Sequence, residues 1–283
     1  MNKYINCLNY LISKKTQQIP HYRGSFFHHL VNVYDKLRKW KCNEDICYAG
    51  LFHSIYGNEI FKTVLETDRE IIKNLIGKDA EELVYLYNQD RFKSKSLRII
   101  SLANKLDHQM IEVIDNIFDN ENISNNYFYF RDLVPWHFTG GGKDINQWRK
   151  FVYKLKFKKT IEKKLKDSTE TILKNMNIFD LVKLERSYAS ANPYGTVHES
   201  HTDYHSNTIG GITIMYYLNK NWNLDFSGET VFYDNEEIIK SIIPKPGRVV
   251  IFDGFIPHCA RDVRRNVNDL RMVLTFKYTI NID

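Results

Sequence analysis

The chain has 283 residues, 43% of them hydrophobic and 14% aromatic, enough to bury one large core or two ordinary ones, and two domains are expected. A net charge of +6, from 40 basic and 34 acidic residues, describes an even-handed solvated surface and gives no reason to expect nucleic acid as a partner. Four cysteines, Cys7, Cys42, Cys47 and Cys259, form neither a Cys-x-x-Cys pair nor a dense framework, which argues against a disulfide scaffold and for reduced thiols in a cytoplasmic protein.

The start, MNKYINCLNYLISKK, lacks the apolar core of a signal peptide, and no apolar run approaches membrane-spanning length, so no membrane partner is expected. Residues 1 to 115 read as an all-α domain. Apolar positions recur at three- and four-residue spacing in Phe26, Phe27, Leu30, Val33, Tyr34 and Leu37, and again in Ile46, Ala49 and Phe52. Asp68-Arg69-Glu70 opens another helix, and Ser96 to Leu102 lies in a further one. Within this half, His29-Leu30-Val31, His53-Ser54 and Leu102-Ala103-Asn104-Lys105-Leu106 together resemble the helical HD superfamily, nearest to bacterial guanosine-polyphosphate hydrolase domains. That resemblance implies a metal held by a histidine, a His-Asp pair and a later aspartate. Here Ser54 and Asn104 stand where two of the carboxylates belong. Losing both removes the charge that holds a divalent ion and acidifies its water, so this domain is expected to be non-catalytic. His29 and His53 then read as hydrogen-bonded core histidines and His21 and His28 as loop or surface residues, while Asp107-His108 is the nearby pair able to restore ligands.

Residues 116 to 126, rich in Asn and Asp, read as a linker that opens the second domain, 116–283. Tyr127-Phe128-Tyr129-Phe130 reads as its first strand. Gly140-Gly141-Gly142 is not followed by Lys-Ser/Thr at P-loop spacing and reads as a loop bordering the site. Residues 146 to 176, with Trp148, Phe151, Val152, Leu155, Ile161 and Leu165 among many lysines, read as one long basic helix whose lysine stems lie over apolar neighbours. Leu181 to Tyr188 reads as a strand, Ser190 to Gly195 as a turn, and Tyr188, Tyr194 and His198 as candidates for a pocket mouth.

The remaining chain carries the chemistry. In an extended strand residues i and i+2 share a face, so His201 and Asp203 of His201-Thr202-Asp203 can reach one ion. His258 follows the apolar run Val249-Val250-Ile251-Phe252, which the turn Pro244-Lys245-Pro246-Gly247-Arg248 launches. Two neutral imidazoles and one carboxylate leave coordination positions open, as in non-haem Fe(II) oxygenases; a closed structural zinc site would not. His198 and His205 flank this pair, but neither has a carboxylate two residues on. Cys259, adjacent to His258, faces the other way in extended chain and reads as a packed thiol. Alternation in Leu270 to Lys277 places Arg271, Val273, Thr275 and Lys277 on one face, and the planar guanidinium of Arg271 suits the far carboxylate of a dicarboxylate bound to iron.

From Ser187 to Tyr278 these residues resemble the Fe(II)- and 2-oxoglutarate-dependent dioxygenases, in particular the prolyl-hydroxylase-like branch. The likeness extends to Tyr216-Tyr217-Leu218-Asn219-Lys220-Asn221-Trp222, Gly228-Glu229-Thr230, the Pro246-Gly247-Arg248 turn and Phe252-Asp253-Gly254. The family's Gly-Gly-Glu-Thr reads Ser227-Gly228-Glu229-Thr230 here, a change expected to affect a turn and not the chemistry. The resemblance implies a double-stranded β-helix (jelly-roll) oxygenase domain with supporting helices, making the whole chain α+β. It implies iron ligands at His201, Asp203 and His258, 2-oxoglutarate contacts at Arg271 and Tyr217, O₂ as second co-substrate, and ascorbate as a candidate reductant. The implied reaction is hydroxylation of a C–H bond, with succinate and CO₂ released. A protein or peptide side chain is the first substrate class and a small metabolite or free amino acid the alternative. Two rival readings are a sensor that binds iron or 2-oxoglutarate without turnover, and a nucleotide-binding or phosphohydrolase protein acting through the HD-like half. Oligomeric state is not legible in the pattern.

Overall fold

The computed structural model describes residues 2–22, 24–57, 67–89, 91–139, 150–196 and 198–282. The chain divides into two compact units, Met1–Met110 with Asn281–Asp283, and Ile111–Ile280. The first unit contains α1 (Lys3–Ser13), a two-stranded hairpin of β1 (Pro20–His21) and β2 (Gly24–Ser25), then α2 (Phe26–Lys39), α3 (Glu44–Phe52), α4 (Arg69–Ile76), α5 (Lys78–Tyr87) and α6 (Lys95–Asp107). The helices start where a short polar side chain caps the first turn. Ser25 Oγ accepts from His28 N, Asn43 Oδ1 from Ile46 N, Asp68 Oδ1 from Glu70 N and Ser94 Oγ from Leu97 N. The 3.6-residue stripe then decides what is buried, and Leu30, Val33 and Leu37 of α2 are fully enclosed, as are Leu51 and Phe52 of α3. A side chain at Gly50 would meet Leu37 Cδ1 at 2.2 Å, so α2 and α3 approach as closely as they do because position 50 has none. Among the described residues no helix is long and apolar enough to cross a membrane.

The second unit runs β3 (Ile111–Ile114), α7 (Asn120–Phe128), β4 (His137–Thr139), β5 (Lys150–Lys154), α8 (Thr160–Asn175), β6 (Val182–Asn192), β7 (Gly211–Tyr217), β8 (Thr230–Asp234), β9 (Glu237–Ile242), β10 (Val249–Asp253), β11 (His258–Ala260) and β12 (Arg271–Ile280). A seven-stranded sheet has the order β3-β10-β7-β12-β6-β5-β4, and a three-stranded sheet the order β11-β8-β9. The pairings are antiparallel, as a jelly-roll oxygenase fold requires. β7 and β10 are buried along their whole length, and their sequences are accordingly rich in apolar residues; β12 is buried at all positions but Thr279 and carries Arg271, Thr275 and Lys277 into the interior. Met215, Tyr217, Val250, Phe252 and Val273 from the large sheet meet Phe232 and Ile242 from the small one in a shared core. On the opposite face of β7, Tyr216 bonds Thr169 of α8, Oη to Oγ1 at 2.8 Å.

Several boundaries differ from the sequence reading, each for a local reason. Ile111–Ile114, expected in the helical half, is an edge strand paired with β10. The expected linker holds α7, because Asp119 Oδ1 caps Asn122 N at 2.7 Å and turns an Asn-rich stretch into a helix. Tyr127 to Phe130 is no strand but the end of α7 running into a π-helical turn, Tyr129–Leu133. The expected long basic helix is β5 followed by α8. The break falls at Phe157, with φ +54°, and is fixed by the buried Glu162 carboxylate, which accepts from Tyr129 Oη at 2.7 Å, Tyr153 Oη at 2.6 Å and Lys156 N at 3.2 Å. Ser190, Ala191 and Asn192 continue β6, so the turn begins only at Pro193. The Gly140-Gly141-Gly142 loop and Trp148 lie outside the described residues.

Candidate active site

The site lies where the two sheets face each other. His201 does not sit on a regular strand as its alternation implied; it makes a single antiparallel bridge with His258, His201 N to His258 O at 3.0 Å and His258 N to His201 O at 2.9 Å. The next turn is tied by Asp203 N to Gly254 O at 2.8 Å. Gly254 is needed there, since a Cβ would stand 2.4 Å from the Tyr204 ring and 3.3 Å from Asp203 Cβ. Backbone pairing across 57 residues (258 − 201) therefore puts the two imidazoles side by side, with ring centroids 4.6 Å apart.

Hydrogen bonds set the tautomers. His201 Nδ1 faces the Glu199 carbonyl at 3.2 Å and His258 Nδ1 the Ile256 carbonyl at 2.9 Å. A carbonyl only accepts, so each Nδ1 carries the proton and each Nε2 presents a lone pair. Those Nε2 atoms lie 3.8 Å from Asp203 Oδ1 and Oδ2 respectively. Metal-bound histidines have this carbonyl-anchored arrangement. Burial works against a charged Asp203, but His258 and Lys277, with hydrogen bonds from Lys277 and Thr213, outweigh it and hold the carboxyl below its ordinary range. Burial pushes His258 below the usual histidine range, with Asp203 opposing. Two neutral imidazoles and one carboxylate, all within 4.8 Å of one another, form a donor set that fits Fe(II).

Arg271 opens on the same pocket, which Tyr188, His198, Thr213, Met215, Thr230, Phe252 and Val273 also line. Its side chain is almost fully buried; Nε donates to Gly228 O at 2.5 Å and Nη2 to Thr230 Oγ1 at 2.8 Å. The Gly228 carbonyl is presented by a turn in which Ser227 takes φ +60° and ψ −143°, a conformation costly for any residue but glycine. Tyr217, expected beside the co-substrate, is not among the pocket-lining residues. Its ring lies under the guanidinium, 5.4 Å from Cζ to centroid, and its hydroxyl faces Thr230 Oγ1 at 2.7 Å and the Ile242 carbonyl at 3.1 Å. Of the mouth candidates, Tyr188 and His198 line the cavity, whereas Tyr194 is exposed and absent from its lining. Cys259 is a buried free thiol 3.4 Å from Tyr233 Oη.

Two site residues escaped the sequence reading of the iron centre. Thr213 Oγ1 donates to Asp203 Oδ2 at 2.5 Å, and Lys277 Nζ pairs with Asp203 Oδ1. The alternation of β12 already placed Lys277 on the face of Arg271; only the fold shows that Asp203 is its partner.

The first unit holds a second histidine cluster. His29 Nδ1 bonds Asp107 Oδ2 at 2.7 Å, and His53 Nδ1 donates to Gly50 O at 2.7 Å. Their Nε2 atoms meet at 3.2 Å, an approach that needs one proton between them. His21, expected in a loop or at the surface, stacks on His29 with centroids 4.3 Å apart, and His108 stacks on it at 4.7 Å. Burial, reinforced by His29, holds the His53 pKa down to about 3. An unfolded histidine takes up its proton below about pH 6.5, so between the two values the unfolded chain binds more protons and stability is lost as the pH drops. Acidifying from pH 7 to pH 5 is expected to remove about 2 kcal/mol through this residue. Amide exchange in α2 and α3 should therefore speed up at pH 5 after correction for intrinsic rates, and His53→Gln should flatten the dependence; protection independent of pH would contradict it.

Residues 188–279 match the family model of the 2OG-Fe(II) oxygenase superfamily, and residues 10–91 match that of a domain of unknown function (DUF6817). No curated protein matches the chain. Among solved structures, a prolyl hydroxylase from Trichoplax adhaerens, in complex with a hypoxia inducible factor oxygen degradation domain peptide fragment, is similar at 16% identity and TM-score 0.50, over 62% of this chain and 86% of that one. A Pseudomonas putida prolyl-4-hydroxylase gives 12% identity and TM-score 0.48 over 62% and 96%, and a viral collagen prolyl hydroxylase from Paramecium Bursaria Chlorella virus-1 gives 15% and 0.46 over 62% and 99%. At these identities the likeness concerns the fold. The second unit carries a 2OG-Fe(II) oxygenase domain. The protein is an Fe(II)/2-oxoglutarate-dependent dioxygenase, and the cofactors of that superfamily are Fe(II) and 2-oxoglutarate.

Proposed function

We propose that the protein hydroxylates a C–H bond in a protein or peptide side chain, consuming 2-oxoglutarate and O₂ and releasing succinate and CO₂. The observation that carries this reading is Arg271, a guanidinium 2% exposed that no carboxylate hydrogen-bonds among the described residues, opening on the pocket that holds His201, Asp203 and His258. A buried cation so placed calls for an anionic ligand. In this reading His201 Nε2, Asp203 and His258 Nε2 hold Fe(II), and Arg271 with Thr230 grips the far carboxylate of 2-oxoglutarate. Tyr217 backs the guanidinium and fixes Thr230. Met215, Phe252 and Val273 form an apolar wall that keeps water from the co-substrate. Bound Fe(II) supplies the O₂ activation that couples decarboxylation of 2-oxoglutarate to oxidation of the substrate.

We place a peptide first because His201, one of the three candidate ligands, leaves 37% of its side chain exposed, giving an extended chain access to the metal side; the Trichoplax structure holds a peptide fragment. Four free thiols, Cys7, Cys42, Cys47 and Cys259, support a reducing, cytoplasmic setting. We read the first unit as a non-catalytic HD-like module: His29 and His53 face each other across α2 and α3, but Ser54 and Asn104 bring no carboxylate to them, which leaves Asp107, bonded to His29 Nδ1, in place of the two lost carboxylates. The test is succinate release by the iron-loaded full chain against peptide and metabolite libraries. Stimulation by peptides supports the assignment; stimulation by small metabolites alone replaces the substrate class, and metal-dependent phosphate release from nucleotides that survives His201→Ala would make the first unit the catalyst.

A further inference from the structure

Lys277 ends the row Arg271, Val273, Thr275 on β12, and the proposed chemistry gives it no task. It is buried, and its ammonium is hydrogen-bonded to Asp203 Oδ1. Thr213 Oγ1 holds the other oxygen at 2.5 Å, and the Tyr188 ring centroid lies 5.8 Å from Nζ. The Asp203 side chain is 2% exposed, with an imidazole nitrogen 3.8 Å from each oxygen. Without Lys277 that carboxylate would be a buried anion facing two lone pairs, and buried charges persist only when paired.

We propose that Lys277 is a positioning residue of the metal centre that shares Asp203 with the metal ion. Its ammonium balances and orients the carboxylate in metal-free protein. A divalent ion taking the same carboxylate then has a second cation one hydrogen bond away, and their repulsion weakens binding. Lys277 thereby keeps the metal exchangeable and makes occupancy respond to metal supply. This rests on the reading of His201, Asp203 and His258 as the metal ligands.

Calorimetric titration of the full chain with Mn(II) tests the sharing. Lys277→Met should bind Mn(II) about tenfold more tightly, because the ion alone now neutralises Asp203. The thermal midpoint of the metal-free variant should fall, widening the gap to the Mn(II)-loaded form, while Lys277→Arg keeps the original affinity. Lys277→Gln retains a donor for Oδ1 without the charge and should show the same tightening if Lys277→Met fails to fold. Unchanged or weaker Mn(II) binding in the neutral variant overturns the role of Lys277. His258→Ala separates the two readings: binding lost there, with Lys277→Gln unchanged, refutes only the lysine, whereas binding retained refutes the ligand set.

Discussion

Arg271→Ala should raise the 2-oxoglutarate concentration needed for half-saturation about a hundredfold, while leaving Mn(II) affinity essentially unchanged. Removing one partner of a buried, hydrogen-bonded charge pair typically costs 2–5 kcal/mol, and about 2.7 kcal/mol is a factor of a hundred. The loss should be specific because the guanidinium is held by Gly228 O and Thr230 Oγ1 and packs over Tyr217, none of which is a candidate metal ligand. Arg271→Lys keeps the charge but not the planar fork, and should recover only part of the binding. Equal 2-oxoglutarate affinity in wild type and Arg271→Ala would show that the co-substrate lies elsewhere.

Asp203→Ala should cost more, because it damages both metal binding and the fold. Mn(II) affinity should fall by at least about a hundredfold with the only anionic ligand gone. The same change leaves Lys277 as a buried, unpaired ammonium on β12, and breaking a buried pair from one side costs about 3–5 kcal/mol. Urea unfolding should show that loss in metal-free protein, and Asp203→Ala combined with Lys277→Met should recover part of it. A variant as stable as wild type, with metal affinity intact, would contradict the pairing and the ligand assignment together.

The legible part of this protein lay where function depends on the identity of a few side chains. His201-x-Asp203, His258 and Arg271 stand out because two imidazoles, a carboxylate and a planar cation suit a metal and an anion, and the fold gathers all four around one pocket. Helices α2, α3, α4 and α6 were legible for a different reason, their 3.6-residue stripes and polar caps being local. What failed depended on partners remote in sequence. Ile111–Ile114 becomes a strand by pairing with β10, more than 130 residues on, and nothing nearby announces it. α7 reads as a linker because asparagine favours turns, and its local signal, the Asp119 cap, sits in an Asn- and Asp-rich run. Phe157, in the left-handed conformation, breaks the chain between β5 and α8, where the lysine-rich pattern suggests unbroken helix. Alternation puts Lys277 on the face of Arg271, yet its partner Asp203 lies 74 residues away. Tyr217, expected at the co-substrate, lies behind Arg271, with its hydroxyl engaged by Thr230 and Ile242, a placement that depends on how three strands pack.

The most direct measurement is an anaerobic titration of metal-free full chain with Fe(II) and then 2-oxoglutarate, following the visible charge-transfer absorption of a keto-acid chelated to iron. The band should appear only when both are present, reach one equivalent of each, and need far more 2-oxoglutarate in Arg271→Ala. Folded, iron-loaded protein that gives no band, or a band indifferent to Arg271, would contradict a site in which His201, Asp203 and His258 hold the metal and Arg271 holds the co-substrate.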